Sequence, residues 1–200
     1  VKQRYFIICV ECCKEYMIDS VEEADATNFC VRCGGKLTKN HILIEAAKQP
    51  KIEKWDRRFL ELAKFVSQWS NDPSTKVGAV VVGPDRYGKI RRVVGLGFNG
   101  FACGINDEPA RYENRDLKIK LIRHGEDNAM TFAKFNEGCT LYTWPFQPCS
   151  ACAGRAIQEG ICRIVAPVCP KHLLGRWGEE FKLSEMQLQE AGIPLQLVKL

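Results

Sequence analysis

The chain has 200 residues, 46% of them hydrophobic, and a formal net charge of +5. That length suits one ordinary domain plus a small appendage, and no apolar run approaches the ~18 residues a membrane helix needs. The charge is too modest for a dedicated nucleic-acid binder and suits an anionic small-molecule partner.

The apolar run Tyr5-Phe6-Ile7-Ile8 is too short for a signal peptide and no small-residue cleavage site follows it. A cytoplasmic protein without membrane contact is therefore expected. Eleven cysteines agree with that expectation. The count is odd, and three Cys-x-x-Cys pairs account for six of them as metal ligands, the pattern of a reducing compartment with bound zinc.

Two of these pairs organise the start of the chain. Cys9-Val10-Glu11-Cys12 and Cys30-Val31-Arg32-Cys33 lie seventeen residues apart, within the spacing of four-cysteine zinc sites. Gly34 and Gly35 follow the second pair and tolerate the positive φ of a knuckle turn. Short strands are expected at 5–8 and 16–18. Residues 1–40 thus read as a zinc ribbon, with a structural zinc held by Cys9, Cys12, Cys30 and Cys33. A unit this small needs metal to fold. Within residues 1–54, 9 Lys and Arg nearly balance 8 Asp and Glu. This argues against a nucleic-acid arm and leaves structural, subunit-contacting or ligand-sensing roles.

Residues 41–54 read as a linker. A helix over 55–69 follows from Phe59, Leu62, Val66 and Trp69 at steps of three and four, and Asn71-Asp72-Pro73 ends it. Strands at 77–82 and 90–98 form a hairpin through Gly83-Pro84-Asp85. Residues 99–122 read as loop with one short helix. Then come a helix at 125–135, a strand at 139–144, a helix at 149–159, a strand at 161–166, a helix at 179–190 and a strand at 195–199. The last three strands alternate with helices, so they should run parallel after an antiparallel pair. The expected architecture of residues 55–200 is a three-layer α/β/α sandwich around a five-stranded mixed sheet.

The chemistry sits in a split motif, His124-Gly125-Glu126 and Pro148-Cys149-Ser150-Ala151-Cys152. One imidazole and two thiolates supply three zinc ligands and leave one tetrahedral corner open. Water at an open zinc corner is acidic near neutral pH. Cys149 and Cys152 are three apart and share a helix face. Pro148 suits a helix start, where the positive helix end also favours thiolates. His124 is expected at or before the first residue of its own helix. Two helix starts then converge on one ion, with Glu126 turned toward the open position to carry protons. A closed site completed by Cys139, Cys162 or Cys169 is the competing structural reading, and it leaves Glu126 without a task. The split motif is similar to the signature of zinc-dependent nucleobase deaminases.

From Trp55 to about Leu200 the chain resembles the deoxycytidylate (dCMP) deaminase family of the cytidine deaminase-like fold. The resemblance is carried by Asp72-Pro73-Ser74-Thr75-Lys76-Val77-Gly78-Ala79-Val80, Gly97-Phe98-Asn99-Gly100-Phe101, His124-Gly125-Glu126-Asp127-Asn128-Ala129, and Thr140-Leu141-Tyr142-Thr143 through Cys152. It implies hydrolysis of dCMP to dUMP and ammonia, on the route to thymidylate, with Glu126 catalytic and a catalytic zinc on His124, Cys149 and Cys152. It also implies that Asn99 holds the deoxyribose hydroxyl, and that its loop, through Gly100 and with Lys76 or Arg111, meets the phosphate. Lys76 and Arg111 read equally well as solvated surface charge. Trp144 and Phe146 either wall the base pocket or belong to the core. Members of the family are commonly homo-oligomers, and many are switched by dCTP and dTTP. Two departures stand out: Gly125 replaces the family's usual alanine, and most members lack the N-terminal ribbon.

Rival readings remain. One is a deaminase of dCTP or a modified dCMP. Another is a nucleic-acid editor targeted by its ribbon; Cys152-Ala153-Gly154 is similar to tRNA adenosine deaminases. From a different class, a non-catalytic zinc module could grip nucleic acid, but it has no use for Glu126. The Gly-Phe-Asn-Gly segment and the long loop before His124 favour a free nucleotide.

Overall fold

The structure is a computed structural model that describes residues 52–84 and 87–199, together with the backbone of three strands nearer the start. The chain divides into two compact units, Val1–Lys51 and Ile52–Leu200.

In the first unit, β1 (Tyr5–Cys9), β2 (Glu15–Ile18) and β3 (Leu37–Ile42) form an antiparallel sheet in the order β2-β1-β3. Tyr5 pairs with Ile18 and Ile8 with Glu15, while Cys9 pairs with Leu37 on the other side. The third strand was not among the expected ones, and it runs past residue 40. Cys12, Cys30, Cys33 and the side chain of Cys9 lie outside the described residues, as do residues 43–51 of the expected linker.

The second unit opens with α1 (Lys54–Ser67), β4 (Gly78–Pro84), β5 (Ile90–Phe98) and β6 (Gly100–Phe101). Next come α2 (Pro109–Glu113), α3 (Arg115–Leu121), β7 (Ile122–Arg123) and α4 (Gly125–Thr131). It closes with β8 (Thr140–Trp144), α5 (Ser150–Gln158), β9 (Arg163–Pro167), α6 (Lys171–Glu190) and β10 (Leu195–Val198). The main sheet has the order β10-β9-β8-β4-β5. β4 is antiparallel to both neighbours, and β8, β9 and β10 run parallel. This is the expected five-stranded mixed sheet.

β4 is buried on both faces, which is why it reads as one continuous apolar run. Ala79 and Val81 enter a core with Ala129 and Met130 of α4, Ala153 and Ala156 of α5, and Leu188 of α6. Val80 and Val82 enter the opposite core with Phe59, Leu60 and Ala63 of α1. The three layers are thus α1, the sheet, and α4–α6. Glycines let the helices approach closely. A Cβ on Gly78 would lie 2.1 Å from the Ala63 carbonyl oxygen, and one on Gly97 would lie 2.2 Å from the Ala129 nitrogen.

α1 begins with a capping box: Asp56 Oδ2 accepts from the Glu53 backbone N–H at 2.8 Å, and the Glu53 side chain caps in return. Asp56 is 2% exposed and pins the helix to the sheet. It accepts two hydrogen bonds of 2.9 Å from Arg163 and one of 2.7 Å from the Tyr142 hydroxyl. Burial pushes its carboxyl up, but the Arg163, Glu53 and Tyr142 hydrogen bonds jointly outweigh it and hold the pKa below the ordinary value.

Four expectations need correcting. The inward stripe of α1 is Phe59, Leu60, Ala63 and Val66; the helix ends at Ser67, which leaves Trp69 49% exposed. The segment 99–122 holds two short helices and contributes to the β6–β7 ladder. α4 stops at Thr131, not 135. α6 starts at Lys171, not 179, and carries Gly175 and Gly178 where a helix is least expected. Among the described residues no helix is long and apolar enough to cross a membrane.

Candidate active site

Two helix starts build the site. His124 is the N-cap of α4 and Cys149 the N-cap of α5, both with extended backbone. Cys152 lies one turn into α5, on the same face as Cys149. His124 Nδ1 is 3.3 Å from Cys149 Sγ and 3.4 Å from Cys152 Sγ, and all three donor atoms lie within 4.8 Å of one another. Zinc bonds of about 2.0 Å to nitrogen and 2.3 Å to sulfur place tetrahedral ligands about 3.6 Å apart. Both His124–sulfur distances therefore suit a shared zinc ion.

Glu126 is 3% exposed, and its Oε2 is 3.9 Å from Cys152 Sγ. Burial raises its pKa to about 7, so it can hold or release a proton near neutral pH. The hydrogen bond to Cys149 raises His124 to about 9. The Cys152 contact pulls the Cys149 thiol well below the usual thiol range and drives Cys152 above it. Protons shared this tightly among an imidazole and two thiols are the ones a metal displaces on binding.

Neighbouring contacts hold the two helix starts in register. Asn128 Nδ2 donates to the Phe98 carbonyl at 2.8 Å, and Asp127 pairs with Arg155, tying α4 to α5. A Cβ on Gly125 would meet the Val77 carbonyl oxygen at 3.1 Å, so glycine lets α4 begin close against the residue ahead of β4. From α6, Glu180 accepts from the Ser150 backbone N–H at 3.3 Å and from its hydroxyl, and Gln187 donates to the Ser150 carbonyl at 3.2 Å. A carboxylate at that helix start satisfies an otherwise orphan backbone donor.

His124, Cys149 and Glu126 open onto a cavity of about 460 Å³, within the range of small-molecule sites. Asn99 lines it. Asn99 Nδ2 donates to Asp72 Oδ2 at 3.1 Å and to the Thr75 carbonyl at 2.9 Å, and its Oδ1 accepts from the Val77 N–H at 2.7 Å. Lys118, 7% exposed, donates to Asp72 Oδ1 at 2.6 Å. These three segments, around residues 72–77, 99 and 118, brace one wall of the cavity.

Other sequence candidates lie elsewhere. Lys76 Nζ donates to the Ser70 carbonyl at 2.6 Å, and neither it nor Arg111 is on the cavity wall. Gly100 pairs with Arg123 in the small ladder. Trp144 packs with the α1-side core, its ring under Lys64 Nζ at 5.1 Å. Phe146 belongs both to the core and to the cavity wall. The cations on that wall are Arg115, Lys118 and Arg176, and Trp177 joins them. Sequence reasoning missed all four. Arg115 and Lys118 fall in the segment read mostly as loop, and Arg176 and Trp177 precede the expected start of α6.

A mixed sheet whose flanking helices gather an imidazole, two thiols and a buried carboxylate beside one cavity is the build of a zinc-binding deaminase. Residues 53–167 match the family described as the cytidine and deoxycytidylate deaminase zinc-binding region. An uncharacterised deaminase encoded in the luxG 3′ region of Aliivibrio fischeri is 39% identical over 154 residues, covering 74% of this chain and 99% of that protein. A probable deoxycytidylate deaminase of Caenorhabditis elegans is 31% identical, covering 71% and 68%. Among solved structures, dCMP deaminase from cyanophage S-TIM5 in apo form superposes with a TM-score of 0.54 at 21% identity, covering 74% of this chain and 99% of that one. The same phage protein in complex with dCMP and dUMP gives 0.53 at 19% identity, covering 74% and 98%. At those identities the likeness is one of fold. The chain belongs to the cytidine and deoxycytidylate deaminase family and is a deaminase enzyme.

Proposed function

We propose that the protein catalyses zinc-dependent hydrolytic deamination of dCMP to dUMP with release of ammonia, feeding dTTP supply. The observation that carries this reading is a buried Glu126 beside a three-donor cluster that opens on a nucleotide-sized cavity. The nematode relative's name and the phage protein's dCMP and dUMP complex support the choice of substrate.

His124, Cys149 and Cys152 hold the ion. Bound to them, zinc supplies Lewis acidity that makes water acidic near neutral pH. Glu126 takes one proton from the attacking water and delivers it to the ring nitrogen as the water oxygen bonds to the amine-bearing carbon; it then takes the second proton from that hydroxyl and passes it to the amine, which leaves as ammonia when its C–N bond breaks. One carboxylate thus serves as base and then as acid. Asn99 Oδ1 has one lone pair engaged by Val77 and keeps a second for the sugar hydroxyl.

Further parts of the reading rest on sequence and family resemblance. Cys9, Cys12, Cys30 and Cys33 bind a second, structural zinc. The protein is a homo-oligomer of the cytoplasm, and dCTP and dTTP are candidate effectors. Ammonia release measured on dCMP, dCTP, deoxycytidine and single-stranded DNA, each with and without dCTP and dTTP, tests the whole set. Preference for dCMP upholds the reading; turnover confined to dCTP or DNA replaces it. Zinc analysis should find about two ions per chain.

A further inference from the structure

One buried charged pair on the cavity wall has no part in the proton transfers. Asp72, from the connection between α1 and β4, and Lys118 of α3 are both buried and both line the cavity. Lys118 Nζ donates to Asp72 Oδ1 at 2.6 Å and to Ser74 Oγ at 3.1 Å. The backbone N–H groups of Ser74 and Thr75 also donate to Oδ1, at 2.8 Å and 3.4 Å. Oδ2 accepts from Asn99 Nδ2 at 3.1 Å. Asp72 is also fastened to the Asn99 backbone. Its own N–H donates to Ser70 Oγ at 3.1 Å, and that hydroxyl donates to the Asn99 carbonyl at 2.7 Å.

An asparagine can turn either its oxygen or its amino group toward a ligand, and the partners around it decide which. The Asp72 carboxylate and the Thr75 carbonyl can only accept, so they take both Nδ2 hydrogens of Asn99. The Val77 N–H can only donate, so it takes Oδ1. What Asn99 has left is one lone pair on Oδ1, an acceptor that suits a hydroxyl donor. Asp72 is the one side chain among these three partners, and the only charged one, which makes its hydrogen bond the strongest of the set. Donors approach both of its oxygens, and only a carboxylate accepts on both. We propose that Asp72, neutralised by Lys118, is a positioning residue: it fixes the Asn99 amide so that the site accepts a hydrogen bond from the deoxyribose hydroxyl. This rests on the deaminase reading above. Asp72 acts through Asn99 and not on the substrate itself. Asp72→Asn keeps the shape but sets an amino group against a donor. The new oxygen stays with Lys118 and Ser74, and the new amino group faces Asn99 Nδ2 and turns the Asn99 amide over.

The test compares kcat/KM for dCMP with that for 2′,3′-dideoxycytidine 5′-monophosphate, which lacks the sugar hydroxyl. It uses the zinc-loaded full chain, with zinc content and Tm as folding controls. Wild type is expected to favour dCMP about tenfold or more. In Asp72→Asn that ratio should fall about tenfold, toward one. Asp72→Asn combined with Lys118→Met removes the cation left unpaired, and its ratio should be equally low. A purely structural role lowers both rates by one factor, so a ratio within twofold of wild type in either variant overturns the proposal. A wild-type preference below twofold overturns it as well. If the wild type releases ammonia from neither compound, the deaminase reading fails instead. The positioning is then decided by hydrogen exchange of the Asn99 side-chain amide in wild type, followed by NMR, as it also is if neither variant folds. Exchange of both Nδ2 hydrogens slowed about tenfold or more relative to a free amide upholds it, and faster exchange of either removes it.

Discussion

The starts of α4 and α5 face the cavity with side chains that are buried or half-buried and already partnered. His124 contacts both Cys149 and Cys152, and Glu126 lies beside Cys152. α6 faces the same cavity with an exposed Arg176 and a Trp177 whose N–H has no partner. The difference separates two tasks. Groups that move protons must be held in place before the substrate arrives, so the fold fixes them at helix starts braced by neighbouring strands. The exposed Arg176 on α6 is not held in this way.

Mutations can break or sharpen this contrast. The largest effect is expected from Cys152→Ser, which removes a thiolate from the donor set. Zinc content of the deaminase unit should fall to near zero, and ammonia release should drop by on the order of 10³-fold or more. Full zinc by elemental analysis would contradict the ligand assignment.

Next is Asp56→Asn, which leaves Arg163 without its buried partner and should cost about 3–5 kcal/mol in urea unfolding. The same pair sets an acid limit. The folded pKa of Asp56 is depressed below its ordinary 3.8. Its contribution is therefore fully present above that value and is lost as pH falls through it toward the folded pKa. Wild type should lose stability there more steeply than Asp56→Asn.

Gly97→Ala drives a Cβ into the α4 backbone. It should cost about 1–3 kcal/mol in urea unfolding and lower kcat by displacing His124. Unchanged stability and activity would mean that α4 is not seated by that contact.

The smallest effect is expected from Glu180→Ala, about 1 kcal/mol as for a lost helix cap, with zinc retained. Loss of zinc in this variant would erase the contrast, because α6 would then be holding the metal site too.

The zinc donors were legible because metal chemistry ties residue type to spacing: His124-x-Glu126 and Cys149-x-x-Cys152 state their ligands and helix starts directly. The strands were legible for a related reason. β4 is an unbroken apolar run, and β8 to β10 alternate with helices. The cavity wall was not legible, because no local pattern says which cation a long connection turns inward. Asp72 and Lys118 are 46 residues apart and meet only once β6 and β7 pair. Lys76 looked available because it is close to the Asn99 network in sequence, yet its amine is engaged by a backbone carbonyl. Trp144 shares β8 with Thr143, and strand alternation sends the two to opposite faces; Trp144 goes to the α1 side. The start of α6 was hidden by Gly175 and Gly178, which propensity reads as breaks and packing against α5 overrides.

The central claim is that Glu126 carries protons beside a metal it does not hold. Ammonia release from dCMP by Glu126→Gln, with zinc content determined on the same sample, tests it most directly. Zinc at the wild-type level and a kcat lower by about 10²–10⁴-fold are expected. Turnover near the wild-type rate with zinc in place, or loss of the zinc itself, would contradict it.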